Sequence, residues 1–145
     1  MLRVVTSPET IQDDHRELMS LVESLRRRLD GPAWTDPMVG SLLESLVAHL
    51  EAHFQNEEVD GFFDEVLDLA PQATPRVDAL LAEHQRMLTV ADDLCHRYHR
   101  VRRTPVSWRH LGDSFQRLRQ MLLVHECDER HLLQEVFIQD EGSKD

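Results

Sequence analysis

The sequence predicts an all-α protein, an up-down-up-down antiparallel four-helix bundle, on three observations. The first is composition: five glycines and one tyrosine among 145 residues, with Leu, Glu, Arg, Asp and His abundant, lack the turn and strand residues of a sandwich or barrel. Second, a capping side chain directly precedes proline four times, at Ser7-Pro8, Asp36-Pro37, Thr74-Pro75 and Thr104-Pro105, which suits N-cap followed by N1. Third, an apolar stripe with spacings of three and four residues follows each of these starts. Short connections between such helices make neighbours antiparallel, and a chain of this length buries roughly two-thirds of its unfolded surface as one domain, residues 1–145.

The first helix, about 8–30, carries Ile11, His15, Leu18, Val22, Leu25 and Leu29 on its stripe and stops at Gly31-Pro32. The second, about 37–60, carries Val39, Leu43, Leu46, Leu50, His53 and Glu57 and weakens near Gly61. "GFFDEVLDLAP", from Gly61 to Pro71, is less regular and reads as a short extra helical segment, with Phe62, Phe63, Val66 and Leu67 available to cover one end of the bundle. The third long helix, about 75–102, runs through Val77, Leu80, His84, Met87, Ala91, Leu94, Tyr98 and Val101. The fourth, about 105–138, runs through Phe115, Leu118, Leu122, His125, Glu129, Leu132 and Val136.

Polar residues on these stripes are the informative ones. A helix with one striped histidine is followed by a helix with His and, four residues on, Glu: His15 then His53/Glu57, and again His84 then His125/Glu129, separated by 38 and 41 residues. This reads as pseudo-twofold doubling of a two-helix unit. At about 1.5 Å per residue, His15 to Leu29 climbs ~21 Å and Pro37 to His53 descends ~24 Å. His84 to Arg102 climbs ~27 Å and Val106 to His125 descends ~28 Å, so all four histidines return to one level. Nine histidines would place roughly two or three on such stripes by chance. Chance does not explain one per helix, matched heights and the carboxylate on alternate helices.

Burying four imidazoles and two carboxylates costs several kcal/mol per ionised group unless something binds them. A metal resolves this. Nitrogen and carboxylate donors suit iron or manganese, and six ligands are too many for one tetrahedral zinc. Two six-coordinate irons with an oxo or hydroxo bridge would use His15, His53, Glu57, His84, His125 and Glu129 and leave about two positions open. His49, Glu58 and Glu126 stand beside these ligands as auxiliary donors or hydrogen-bond partners, with a solvated surface role as the alternative. Phe54, Met87, Leu88 and Leu122 fall near the same level as core residues or pocket lining. His96, His99, His110 and His131 are expected in solvent.

The ordered set "DDHRELMSLV", "HFQNE", "EHQRML" and "HECDE" resembles the hemerythrin-like cation-binding domains, often called HHE domains, from about Ile11 to Val136. The resemblance implies a hemerythrin-like bundle and a non-haem di-iron centre bridged by the two glutamates and an oxygen species, with histidines completing each iron. It departs from the oxygen-carrying hemerythrins of marine invertebrates. Those have a His pair on the third helix, where Leu80 and Leu88 flank His84 here, and an aspartate where this chain has Glu129. The four-His, two-Glu set looks more like bacterial domains implicated in nitric oxide or oxygen sensing, iron handling and repair of iron-sulfur centres.

A net charge of −11 repels phosphate backbones and anionic lipid, so neither nucleic acid nor membrane is an expected partner. The one basic run, "HRYHRVRR" from His96 to Arg103, sits where a helix end complements the macrodipole. No signal peptide or ~18-residue apolar span is present, and two cysteines read as reduced thiols, which together predict a cytoplasmic protein. The expected function is binding of, sensing of or reaction with a small oxidant, namely oxygen, nitric oxide or peroxide, in iron handling or a stress response. Carrier, sensor and enzyme stay open, because no substrate pocket, effector domain or redox partner is visible. The competing class is an acidic helical interaction module, metal-free or holding zinc or manganese, with an unidentified protein partner.

Overall fold

The computed structural model describes residues 8–31, 36–59 and 62–143, with side chains for 14–31, 36–59 and 62–137. Ser7, Pro32 and Gly61 of the sequence reading lie outside the described residues, as does the side chain of Ile11. Four long helices and one short helix account for the fold, and no strand occurs among the described residues. These are α1 (Pro8–Asp30), α2 (Met38–Val59), α3 (Phe62–Leu69), α4 (Thr74–Arg100) and α5 (Pro105–Ser143). A 3-10 turn, Pro71–Ala73, precedes α4. The long helices pack in the cyclic order α1, α2, α4, α5, with α5 closing against α1, which is the expected all-α bundle.

Local chemistry sets the helix starts. The Asp36 carboxylate accepts the Met38 backbone N–H at 3.0 Å, so Asp36 caps α2 as the sequence predicts. The same side chain takes Arg28 from the end of α1 at 2.9 Å, and its carbonyl accepts the Tyr98 hydroxyl of α4 at 3.2 Å. One residue thus ties three helices at this end. Thr104 caps α5: its hydroxyl accepts the Ser107 N–H at 3.1 Å, while the Ser107 hydroxyl accepts the Thr104 N–H at 2.8 Å.

Two expectations need correction. Thr74 is not an N-cap, because the 3-10 turn begun by Pro71 starts helical geometry earlier: Thr74 has φ −49 and ψ −49, and its hydroxyl donates to the Pro71 carbonyl at 2.7 Å. Ala73 holds the cap position without a side-chain bond. Val101 does not continue the α4 stripe, since the chain turns extended there (φ −83, ψ 135) and leaves Val101 half-exposed.

The stripes otherwise point inward and form two apolar clusters. The larger spans all four long helices, from Leu18, Val22, Leu25 and Leu29 of α1 to Phe115, Leu118 and Leu122 of α5. The smaller joins Phe62, Phe63 and Val66 of α3 to Val77, Leu80, Leu132 and Val136, so α3 covers one end of the bundle as expected. Leu67 is half-buried against it. Between the two clusters lies a layer of histidines and glutamates.

Gly40 shows how closely α2 and α4 approach. A Cβ there would stand 2.6 Å from Tyr98 Cε1, on a ring fixed by its bond to Asp36 and by Arg103 at 4.4 Å from its face. Gly112 in α5 meets only ordinary contact, with Leu29 O at 3.8 Å. Gly40→Ala should therefore lower thermal stability, because overpacking of ~1–3 kcal/mol exceeds the helix-propensity gain of at most ~1 kcal/mol. Gly112→Ala should raise stability by up to ~1 kcal/mol. Equal melting temperatures for the two variants would contradict this packing.

Candidate metal centre

α1 and α2, and again α4 and α5, each bring two striped imidazoles together. The His15 and His53 rings lie 4.7 Å apart at 60°, and the His84 and His125 rings 4.7 Å apart at 61°. That near-identity is the pseudo-twofold repeat expressed in side chains. His53, Glu57, His84, His125 and Glu129 are each no more than 3% exposed, whereas the His15 side chain is 27% exposed. The N-terminal half of the layer is therefore the half nearer solvent.

Two overlapping donor groups result, each with its atoms within 4.8 Å of one another: His15, His53, Glu126 and Glu129 in one, Glu57, His84, His125 and Glu129 in the other. Glu129 belongs to both, with Oε1 3.9 Å from His15 Nε2 and Oε2 3.1 Å from His125 Nε2. Glu57 also reaches both, its Oε1 lying 3.1 Å from His53 Nε2 and 3.6 Å from His84 Nε2. His84 Nε2 and His125 Nε2 face each other at 3.0 Å.

Behind the rings, carboxylates hold the outer nitrogens. His53 Nδ1 donates to Asp14, and His125 Nδ1 donates to Glu83 at 2.7 Å. Pinning Nδ1–H in this way orients each ring with Nε2 facing inward, the usual support for a metal-bound histidine. Sequence reasoning missed Asp14 and Glu83. Both directly precede a striped histidine, Asp14 before His15 and Glu83 before His84, a signal available in the repeat.

The three auxiliary candidates separate clearly. Glu126 enters the layer, 2.6 Å from His15 Nε2 and 3.3 Å from His53 Nε2. Glu58 stays at 3.7 Å from His84 Nδ1, and His49 sits outside the two groups, 3.2 Å from Asp14. His96, His99, His110 and His131 are exposed, as expected. Cys95 and Cys127 are free and outside both donor groups, so the layer offers nitrogen and oxygen only.

Charge in the metal-free layer is shared among protons. Burial pushes the His53 imidazole down, but Glu126 and Asp14 beside it outweigh burial and hold it at about 9. Burial pushes His125 down as well, yet Glu129 and Glu83 leave it raised. His84 has burial and then the His125 charge against it and falls to about 3. Burial and the facing Glu129 carboxylate raise Glu57 well above the carboxylate range. Burial alone would raise Glu129, but Glu57 and His125 bring it below its ordinary value. Burial would likewise raise Glu126, but His15 and His53 hold it at about 2.

The donor set fits a cation. Both oxygens of Glu57 and of Glu129 are buried without a hydrogen-bond partner, although each has other donor atoms within a few ångströms. An ion among these oxygens and the imidazole nitrogens around them would relieve the cost of burying them. Buried nitrogen and oxygen donors converging between facing helices make this a helical cation-binding protein. The chain belongs to the hemerythrin family: its sequence matches the hemerythrin HHE cation-binding domain over residues 6–137. No curated protein and no solved structure gives a significant match.

The two histidine shifts have opposite consequences for metal-free stability. His84, lowered from 6.5 to about 3, contributes stability that is full above 6.5 and is lost as pH falls towards 3, by up to ~1.4 kcal/mol per pH unit. His53, raised to about 9, contributes stability that is full below 6.5 and is lost as pH rises through 9. Thermal unfolding of metal-free protein should peak near neutrality, with His84→Gln flattening the acid limb and His53→Gln the alkaline limb. Limbs unchanged in both variants would contradict the assignment.

Proposed function

We propose that the chain is a non-haem di-iron protein that binds, senses or reacts with oxygen, nitric oxide or peroxide. In this reading His15 and His53 would hold one iron, His84 and His125 the other, and Glu57 and Glu129 would serve both. The observation that carries it is the set of unpartnered, buried Glu57 and Glu129 oxygens facing imidazole Nε2 atoms. Nitrogen and carboxylate donors without thiolate favour iron or manganese over a structural zinc site.

Bound iron would supply redox change and open coordination positions for a small ligand. The protein's own part is positioning and exclusion. Asp14 and Glu83 keep His53 and His125 as neutral Nε2 donors once their protons have left. Phe54 and Phe63, with ring centres 3.9 and 5.9 Å from His84, keep water from the inner side. No helix among the described residues is long and apolar enough to cross a membrane.

Protein loaded anaerobically should hold about two irons per chain, and its ferrous form should change its visible spectrum on adding oxygen or nitric oxide. His53→Ala and Glu57→Ala should each lose iron, and chelation should lower the melting temperature of the wild type. Full iron loading in either variant would sink the site assignment. Catalytic consumption of peroxide or nitric oxide, as opposed to stoichiometric binding, distinguishes an enzyme from a sensor or carrier.

A further inference from the structure

A second set of unlike donors lies outside the histidine layer, on the flank where α2 packs against α4. Glu44 of α2 and Cys95 and His99 of α4 bring one carboxylate oxygen, the thiol sulfur and one ring nitrogen within 4.8 Å of one another. Cys95 and His99 are four residues apart, so one helical turn stacks them on the same face, and Glu44 joins them from the facing helix. His99 lies 15 residues beyond His84 on α4, about 22 Å along the helix axis, and the trio shares no residue with the layer.

Two of the three have a simple role in the metal-free chain. His99 Nε2 meets Glu44 Oε1 at 3.1 Å, and both side chains are exposed, so the pair contributes little to stability. Cys95 is half-buried at the edge of the larger apolar cluster, and its thiol changes what the pair can do. Thiolate, imidazole and carboxylate together suit a borderline-soft divalent cation, zinc first among them, whereas calcium and magnesium take oxygen donors. The spacing suits it too. At Zn–N and Zn–O lengths of about 2.0–2.1 Å, two corners of a tetrahedron stand about 3.3 Å apart, close to the 3.1 Å between His99 and Glu44.

We propose that Glu44, Cys95 and His99 form a second cation site, of the zinc class, on the α2–α4 flank, with water in the remaining position. Its surroundings are negative: burial first, and then the Glu44 and Asp92 carboxylates, keep the Cys95 thiol above its ordinary value. That setting makes a poor nucleophile of Cys95 and favours a divalent cation, which would replace the proton on sulfur and stand between Glu44 and His99. Three protein donors would leave the ion exchangeable, unlike a closed four-ligand zinc, and its presence would fasten α2 to α4 at a point remote from the layer. The site is independent of which metal fills the layer.

The test uses the full-length chain with Cys127→Ser, which leaves Cys95 as its single thiol, loaded anaerobically with ferrous iron and titrated with cobalt(II) as a spectroscopic stand-in for zinc. Because the histidine layer offers only nitrogen and oxygen, a thiolate-to-cobalt charge-transfer band in the near ultraviolet reports this site alone. The band should grow to saturation with cobalt and vanish on adding zinc, and zinc should also protect Cys95 from iodoacetamide. Cys95→Ala should lose the band entirely. Glu44→Gln and His99→Gln, both at exposed positions, should leave the metal-free melting temperature nearly unchanged and weaken cobalt binding at least about tenfold, the loss expected when even an outer partner of a metal ligand is removed. Absence of the band in the Cys127→Ser protein would overturn the proposal. A band of undiminished affinity in either Glu44→Gln or His99→Gln would overturn it as well, since it would mark an adventitious thiol contact.

Discussion

The constraint on which the rest of this structure depends is a layer of buried imidazoles and carboxylates set across an otherwise apolar bundle. Ionised groups in such a place cost several kcal/mol each unless paired or coordinated, so the layer can exist only where every member has an opposite charge, a proton or an ion within reach. Four helices must then deliver their polar residues to one height. The large cluster below the layer and the smaller one beneath α3 provide the burial that holds the helices in that register. At the far end Asp36 fixes the start of α2 against α1 and α4. The site is thus set by packing some distance from itself.

Repetition solves most of the placement problem. One two-helix unit used twice delivers equal ring separations of 4.7 Å and equal carboxylate supports, Asp14 behind His53 and Glu83 behind His125. In each unit the supporting carboxylate comes from the residue before the other helix's histidine, so each buried histidine is tied to the neighbouring helix. Moving one helix along its axis would break a support as well as displace a histidine. Departure from symmetry at Phe54 and Glu126 then gives the two donor groups different surroundings, an aromatic ring against His84 and a carboxylate against His15 and His53.

Much of this was legible in the sequence, for a physical reason: burial and helical periodicity both act on residues three and four apart. The stripe assigned Leu18, Leu43, Met87 and Leu122 to the core, and each is no more than 1% exposed. It also brought out His53, Glu57, His84, His125 and Glu129 as polar residues in apolar places. What it could not resolve lies just off the stripe. Asp14, Glu83 and Glu126 flank the inward positions, where a long acidic side chain can turn towards solvent or back into the layer with the same backbone. The choice depends on partners from another helix. Thr74 and Val101 were misread because a proline-initiated 3-10 turn and an early extended residue shift the ends of α4 in ways periodicity does not report.

The carboxylates of the layer are balanced by protons on its histidines and on Glu57. Glu57, Glu126 and Glu129 lie among the four histidines, with Asp14 and Glu83 directly behind. Raised values at His53, His125 and Glu57 place protons where cations would otherwise sit, while His84, flat against Phe54, stays neutral. Cation binding would displace protons from these groups and so would depend on pH. Binding strength is accordingly tied to how readily His53 and Glu57 surrender their protons, which makes the supporting carboxylates part of the metal's affinity as well as of its geometry.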